Sequence, residues 1–201
     1  MTQIICDLET IADPDAVALV EPPSAPSNYK DPEKIAAYVA DAKLKAISDM
    51  ALRHAGCRVV ALGLGDQVTL CPDVDVEAAA LRLFWAAWAE MAIIVGFNFV
   101  GFDLPVLMVR SKLLRVPVPS FRYSKYGIDK VRDLMRELDP ADDRWHGLTW
   151  WCQRLKLNVP ADPNTGGDIA ALYAANDWEG IEQHCRIDLI KTKALCDYLT
   201  P

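Results

Sequence analysis

Two carboxylates, Asp7 and Glu9, interrupt the apolar run Ile4-Ile5-Cys6-Asp7-Leu8-Glu9-Thr10. The β-branched character of that run predicts a strand inside a sheet. Side chains alternate along a strand, so Ile4, Cys6 and Leu8 face one way and Ile5, Asp7 and Glu9 the other. At the usual strand rise the two carboxylates then stand roughly 7 Å apart on one face. Acids on an otherwise apolar strand are costly to bury without a cation between them, and a divalent metal is the simplest candidate. The competing reading is a strand end that emerges into solvent with two harmless acids.

A third acid, Asp103, follows the apolar run Ile93-Ile94-Val95 through Phe97-Asn98-Phe99-Val100-Gly101-Phe102-Asp103-Leu104-Pro105. It reads either as the N-cap of the next helix or as a functional side chain beyond a strand end, where α/β sheets commonly present them. A fourth, Asp188, belongs to the helical stretch Trp178 to Leu199. At about 100° per residue, Ile181, Cys185, Thr192, Leu195 and Leu199 share a narrow stripe, with Asp188 at its centre and His184 near its edge. An aspartate centred on a core-facing stripe needs a partner.

Brought together, Asp7, Glu9, Asp103 and Asp188 would repel one another and raise their own pKa values unless metal ions neutralise them. Hard oxygen ligands select Mg²⁺ or Mn²⁺ over zinc. Two such ions, roughly 4 Å apart, stabilise the attacking and leaving oxygens of an in-line phosphoryl displacement. His184 is the candidate base, because histidine changes charge near neutral pH.

These residues need a frame to hold them. At 201 residues, 52% hydrophobic and 24% charged, the chain fits one α/β domain over 1–201, with a mixed sheet and a sizeable core. The net charge of −7 excludes a broad basic face that grips duplex nucleic acid, though not a narrow groove. Cys6, Cys57, Cys71, Cys152, Cys185 and Cys196 form no CxxC pair and are expected as buried free thiols in a reducing cytoplasm. No basic-then-apolar leader opens the sequence, so no signal peptide is expected. Leu83 to Phe102 is long enough for a membrane span, but its pattern changes from helical to β-like, so a helix followed by a buried strand is expected instead.

After the first strand, residues of about 13–57 read as an insertion. Prolines rule out regular structure from Pro14 to Pro26, and Asp31-Pro32-Glu33 then caps a helix running to about His54 and stopping at Gly56. Ile35, Tyr38, Ala42 and Ile47 would form its weak apolar side. Arg58 to Leu64 and Gln67 to Leu70 read as a hairpin around Gly65-Asp66, Asp73 to Met91 as a helix, and Ile93 to Phe97 as a strand. From Leu104 onward the expectation is mainly helical: Leu104 to Leu114, Leu148 to Lys156, Asp168 to Ala175 and Trp178 to Leu199.

CDLET, GFNFVGFDLPVL and HCRIDLIKT resemble the three exonuclease motifs of the DnaQ-like, DEDD-type 3'–5' exonucleases. The spacing from Asn98 to Phe102-Asp103 is most similar to the proofreading domains of family B DNA polymerases. The resemblance implies a ribonuclease H-like mixed sheet flanked by helices. It implies stepwise hydrolysis from the 3' end of single-stranded DNA by a two-metal-ion mechanism, releasing nucleoside 5'-monophosphates. RNA is the alternative substrate, and a catalytically idle nucleic-acid-binding or polymerase-associated domain the alternative role. By the same likeness Asp7, Glu9, Asp103 and Asp188 would hold two Mg²⁺ or Mn²⁺ ions, and His184 would orient or deprotonate the attacking water. Family members with histidine place it five residues before the last aspartate and those with tyrosine place that residue four before; this chain has histidine at the tyrosine spacing. A polymerase or another replication or repair protein is an implied partner, and a phage setting fits equally.

Within the motifs, Thr10, Asn98 and Phe102 are expected substrate contacts. Arg110 to Arg136 holds eight basic and two acidic residues, so positive charge is concentrated there. Arg122, Tyr123, Lys125 and Tyr126 mix rings with cations as single-strand grooves do, or form a solvated charged loop. Trp150-Trp151 is expected in the core rather than stacked on bases. Asp133-Leu134 is expected to start a helix.

Overall fold

The computed structural model describes residues 2–21, 23–90, 92–124, 127–140 and 146–200, with the backbone only for 123, 124 and 127. Strand β1 (Gln3–Ala12) extends past the expected strand at both ends. Asp13 then caps the single turn α1 (Pro14–Val17), its carboxylate accepting from the Asp15 N–H while Pro14 occupies the first helical position. This turn corrects the expectation that Pro14 to Pro26 is wholly irregular. Asp31 caps α2 (Pro32–Met50) in the same way.

α2 stops at Met50 rather than near His54, because tighter turns take over: Ala51 N–H donates to Ser48 O, Leu52 to Asp49 O and Gly56 to Arg53 O. A Cβ at Gly56 would press on the Met50 thioether and approach its carbonyl, so a larger residue there would displace the Met50 side chain. No residue of α2 is buried, and Tyr38, expected on its apolar side, is exposed. An alanine-rich face has little area to bury.

β2 (Cys57–Leu64) and β3 (Gln67–Leu70) make the expected hairpin. α3 (Val74–Ala89) is capped by Asp73 and leads into β4 (Ile93–Gly96). α4 (Asp103–Leu113) has Phe102 at its cap position with no side-chain cap bond. Asp103 is therefore the first helical residue and not the cap. β5 (Tyr123–Ser124) and β6 (Gly127–Ile128) form a small ribbon, and β7 (Val131–Asp133) runs straight into α5 (Leu134–Leu138). These three strands are not anticipated by the mainly helical expectation beyond Leu104; two or three residues are too few to show a period. α6 (Leu148–Arg154), α7 (Ile169–Ala174, after a 3₁₀ turn at Gly166–Asp168) and α8 (Trp178–Leu199) follow as expected.

The five-stranded mixed sheet has the order β3-β2-β1-β4-β7. β1 lies at its centre, antiparallel to β2 and parallel to β4, and β4 is parallel to β7. The β1–β2 ladder runs to Ala12↔Cys57, its register slipping once between Glu9 and Thr10. Cys6 and Leu8 pack with Phe84, Trp88, Leu104 and Leu107 under α3 and α4. Ile5 points the other way and packs with Val95, Leu189 and Leu195 under α8. Helices thus cover both faces. All six cysteines are buried free thiols. Among the described residues no helix is long and apolar enough to cross a membrane.

Candidate metal centre

Alternation along β1 places Asp7 and Glu9 on the same face as Ile5, under α8. Glu9 is buried and Asp7 half-buried. α8 delivers Cys185, whose sulfur and the carboxylate oxygens of Asp7 and Glu9 all lie within 4.8 Å of one another. His184 and Asp188, from the same helix, group with Asp162 within the same spread. The His184 Nε2 to Glu9 Oε1 distance of 3.6 Å joins the two groups. Asp103 is buried at the start of α4 and acts electrostatically on both Asp7 and Glu9. Distances therefore bring Asp7, Glu9, Asp188 and His184 into one cluster, whereas Asp103 is linked to it by its charge and belongs to neither close group.

Burial is the largest force on the strand acids. It raises the Asp7 pKa well above the usual carboxylate range, the Asp188 charge adds to the rise, and Lys191 opposes it. Glu9 is raised by burial and then by Asp7, Asp188, Asp103 and Asp162. Asp103 is raised by burial and by Asp7, against backbone hydrogen bonds at Asp103 and Leu8. Among the described residues no Lys or Arg forms an ion pair with Asp7, Glu9 or Asp103. Buried Glu9 and Asp103 with half-buried Asp7, none ion-paired to a Lys or Arg and only Glu9 near an imidazole, at 3.6 Å, are a donor set that fits a hard divalent cation.

The α8 side of the cluster is built differently. Asp188 bonds the Lys191 ammonium at 2.7 Å, and the same ammonium reaches Asp162 at 3.4 Å. Asp162 also bonds His184 Nδ1 at 2.8 Å. An ionised carboxylate only accepts, so Nδ1 carries the hydrogen and Nε2 is the nitrogen turned toward Glu9. The Lys191 side chain is 4% exposed. Burial pulls its pKa down, but the hydrogen bond and charge of Asp188, with Asp162, outweigh that and the net shift is upward.

A cleft of about 600 Å³ opens on this side. Leu148 and Cys152 of α6, with Leu157, Val159 and Pro160, form its apolar wall, and Asp162, His184, Asp188 and Lys191 its polar one. Trp150 is exposed and stacked on His146 at 3.8 Å, beside the cleft residues Gly147 and Thr149, whereas Trp151 is half-buried in the core. The expectation of core packing thus holds for Trp151 and is corrected for Trp150.

Other expected contacts lie elsewhere or are already engaged. The Thr10 hydroxyl donates to Ala51 O, tying β1 to the end of α2. Asn98 takes a left-handed φ of 58°, and its N–H donates to Asp133 Oδ1. Asp133 also accepts from Val100 and Met135, so it fixes the turn that leads to Asp103 while capping α5. Phe102 is half-buried against His54, whose Nε2 meets Gly101 O at 3.0 Å.

Arg122 lies near the start of β7, its carbonyl accepting from the Asp129 N–H. Neighbouring Phe121 packs on Trp85 and Trp88, and Lys130 O accepts from Ile94 at the start of β4. Ile94 pairs with Ile4, so Asp7 stands about 10 Å further along the strand. Tyr123 belongs to β5, in the separate small ribbon, while Lys125 and Tyr126 lie outside the described residues.

The concentrated positive charge also disperses. Arg110 is buried against Glu77 and Asp13, Lys130 donates to Trp88 O, and Arg132 pairs with Glu137. Two members of the cluster, Asp162 and Lys191, escape the sequence reading. Lys191 was findable, since it lies two turns from His184 on the same helix edge. Asp162 sits in the irregular Pro160-Ala161-Asp162-Pro163 stretch, which has no period to mark it. Comparison with protein-family models and with curated proteins returns no match.

Proposed function

We propose that the protein is a metal-dependent 3'–5' exonuclease of the ribonuclease H-like fold, acting on the 3' end of single-stranded DNA and releasing nucleoside 5'-monophosphates. The observation that carries this reading is the close pairing of Asp7 with Glu9, electrostatically linked to buried Asp103 and without a Lys or Arg ion pair among the described residues, beside a buried histidine and an open cleft. The sheet order is compatible with that fold, and the three motifs resembling DnaQ-like exonucleases supply these acids.

Asp7, Glu9 and Asp103 would hold the ion, which when bound supplies positive charge to the entering and leaving oxygens of an in-line displacement. Asp162 fixes the His184 ring, so Nε2 is the atom placed to take the proton of the attacking water. The apolar wall at Leu148, Cys152 and Leu157 shields the reacting end from bulk water. The His146–Trp150 stack offers a π-face to a base. A polymerase or repair protein as partner, and RNA as substrate, belong to the same proposal. A catalytically idle nucleic-acid-binding domain is the second reading, favoured by the Lys191 ammonium on Asp188.

The test gives purified protein end-labelled DNA and RNA oligonucleotides with Mg²⁺, Mn²⁺ or EDTA. Stepwise loss from the 3' end that needs metal and disappears in Asp7→Ala is expected. Undiminished activity in Asp7→Ala would refute the metal-centre mechanism. A wild-type protein that binds but never cleaves would select the idle domain.

A further inference from the structure

The cluster divides by how its charge is balanced. On the strand side, Asp7, Glu9 and Asp103 have no Lys or Arg partner among the described residues. On the helix side, Asp188 and Asp162 share one buried ammonium, at 2.7 and 3.4 Å. A second divalent ion on Asp188 would have to occupy the space that this ammonium fills. Displacing Lys191 would strip a buried cation of both its carboxylates, and breaking a buried ion pair from one side is strongly destabilising. It would also release Asp162, which holds the His184 ring.

We infer that Lys191 stands in for the second metal ion: the centre takes a single divalent cation on Asp7, Glu9 and Asp103, and the Lys191 ammonium provides the second positive charge. Asp188 is then a positioning residue that aims Lys191, not a metal ligand. The ammonium lines the cleft together with His184 and Asp188, where a phosphate oxygen of a bound strand end would meet it. A compact point charge with three donors suits that task. The inference rests on the exonuclease reading for the identity of the phosphate, but the ion count does not.

The experiment counts Mn²⁺ bound to the full chain by electron paramagnetic resonance during titration at neutral pH. Wild type is expected to bind one ion per chain, with the signal of an isolated Mn²⁺. Lys191→Met is expected to bind two, with the broadening of a spin-coupled pair, while Lys191→Arg keeps one. Two coupled ions in wild type would overturn the inference, as would a single ion in a Lys191→Met protein shown to be folded by circular dichroism. Should Lys191→Met not fold, the wild-type and Lys191→Arg counts decide, two ions in either overturning it. One ion in a protein inert to every oligonucleotide supports the inference and removes the exonuclease reading. Two ions in an active enzyme do the reverse, and no bound ion removes both.

Discussion

Replacing Asp7 by asparagine separates the cost of the acid cluster from its use. The side chain keeps its shape and loses its charge. Oxygens of Asp7 and Glu9 lie within 4.8 Å of one another. Two full charges at such a distance repel by about 3 kcal/mol at an effective dielectric near 20. Partial protonation, which the raised pKa values bring about, and the lost attraction to Lys191 both reduce the gain, leaving about 1–2 kcal/mol. For a chain of this length each kcal/mol moves Tm by roughly 2–4 °C. In EDTA, Asp7→Asn is therefore expected to melt roughly 2–8 °C above wild type.

The pH dependence follows from the direction of the shifts. Asp7, Glu9 and Asp103 have folded pKa values raised above their unfolded ones, so the folded state binds more protons in that interval. Metal-free wild type must lose stability as pH climbs from about 4 toward the raised values, and its gap to Asp7→Asn must widen over the same window. Mn²⁺ reverses the order. At a hundred times Kd it adds about 2.7 kcal/mol to wild type, and the variant, lacking a ligand, gains much less. Melting curves for both proteins across this pH range, with EDTA or Mn²⁺, measure all three effects. An Asp7→Asn protein that melts below wild type in EDTA at every pH, or an equal response of both to Mn²⁺, would refute the reasoning.

Asp162→Ala should leave the fold intact while freeing the His184 ring, lowering kcat by about 10- to 100-fold with KM little changed; an unchanged kcat in a cleavage assay removes its orienting role. Glu77→Ala strands the buried Arg110 guanidinium beside Asp13 alone and should destabilise by about 3–5 kcal/mol in urea melts, a loss below about 1 kcal/mol contradicting the assignment. Burial lifts the thiols, Cys57 to about 11 and Cys71 to about 12, so native protein at pH 8 should resist thiol-directed reagents that titrate all six cysteines in guanidinium; rapid native labelling would count against the buried thiols.

The parts of the fold visible in the sequence were those with a strong period or an explicit stop. β1, the β2–β3 hairpin, α3 and α8 each bury a contiguous apolar stripe, and Asp73 and Gly65 punctuate them. β7 was hidden because three residues under a single sheet edge leave no alternation to see. The strand and helix acids of the site were legible because polar residues on apolar faces break a pattern. Asp162 breaks none, being in a loop, and the charge count over Arg110 to Arg136 misled because sequence proximity does not say which cations are already paired. Arg110, the most buried of them, serves Glu77 from the next helix.

The excursion between β1 and β2 is closed at its base: Asp13 N–H donates to Gly56 O, directly beyond the last rung of the ladder, and the Asp13 carboxylate is held by Arg110. An antiparallel pair needs only a two-residue turn there. Everything between the clasp and the ladder is, for the sheet, a graft. Related chains should therefore tolerate deletion, lengthening or replacement of the α2 segment, none of whose residues is buried, while changes at Asp13, Thr10 and His54 are resisted. Trimmed to a short turn that keeps Asp13, the sheet and its acids become a smaller scaffold onto which a different segment can be spliced.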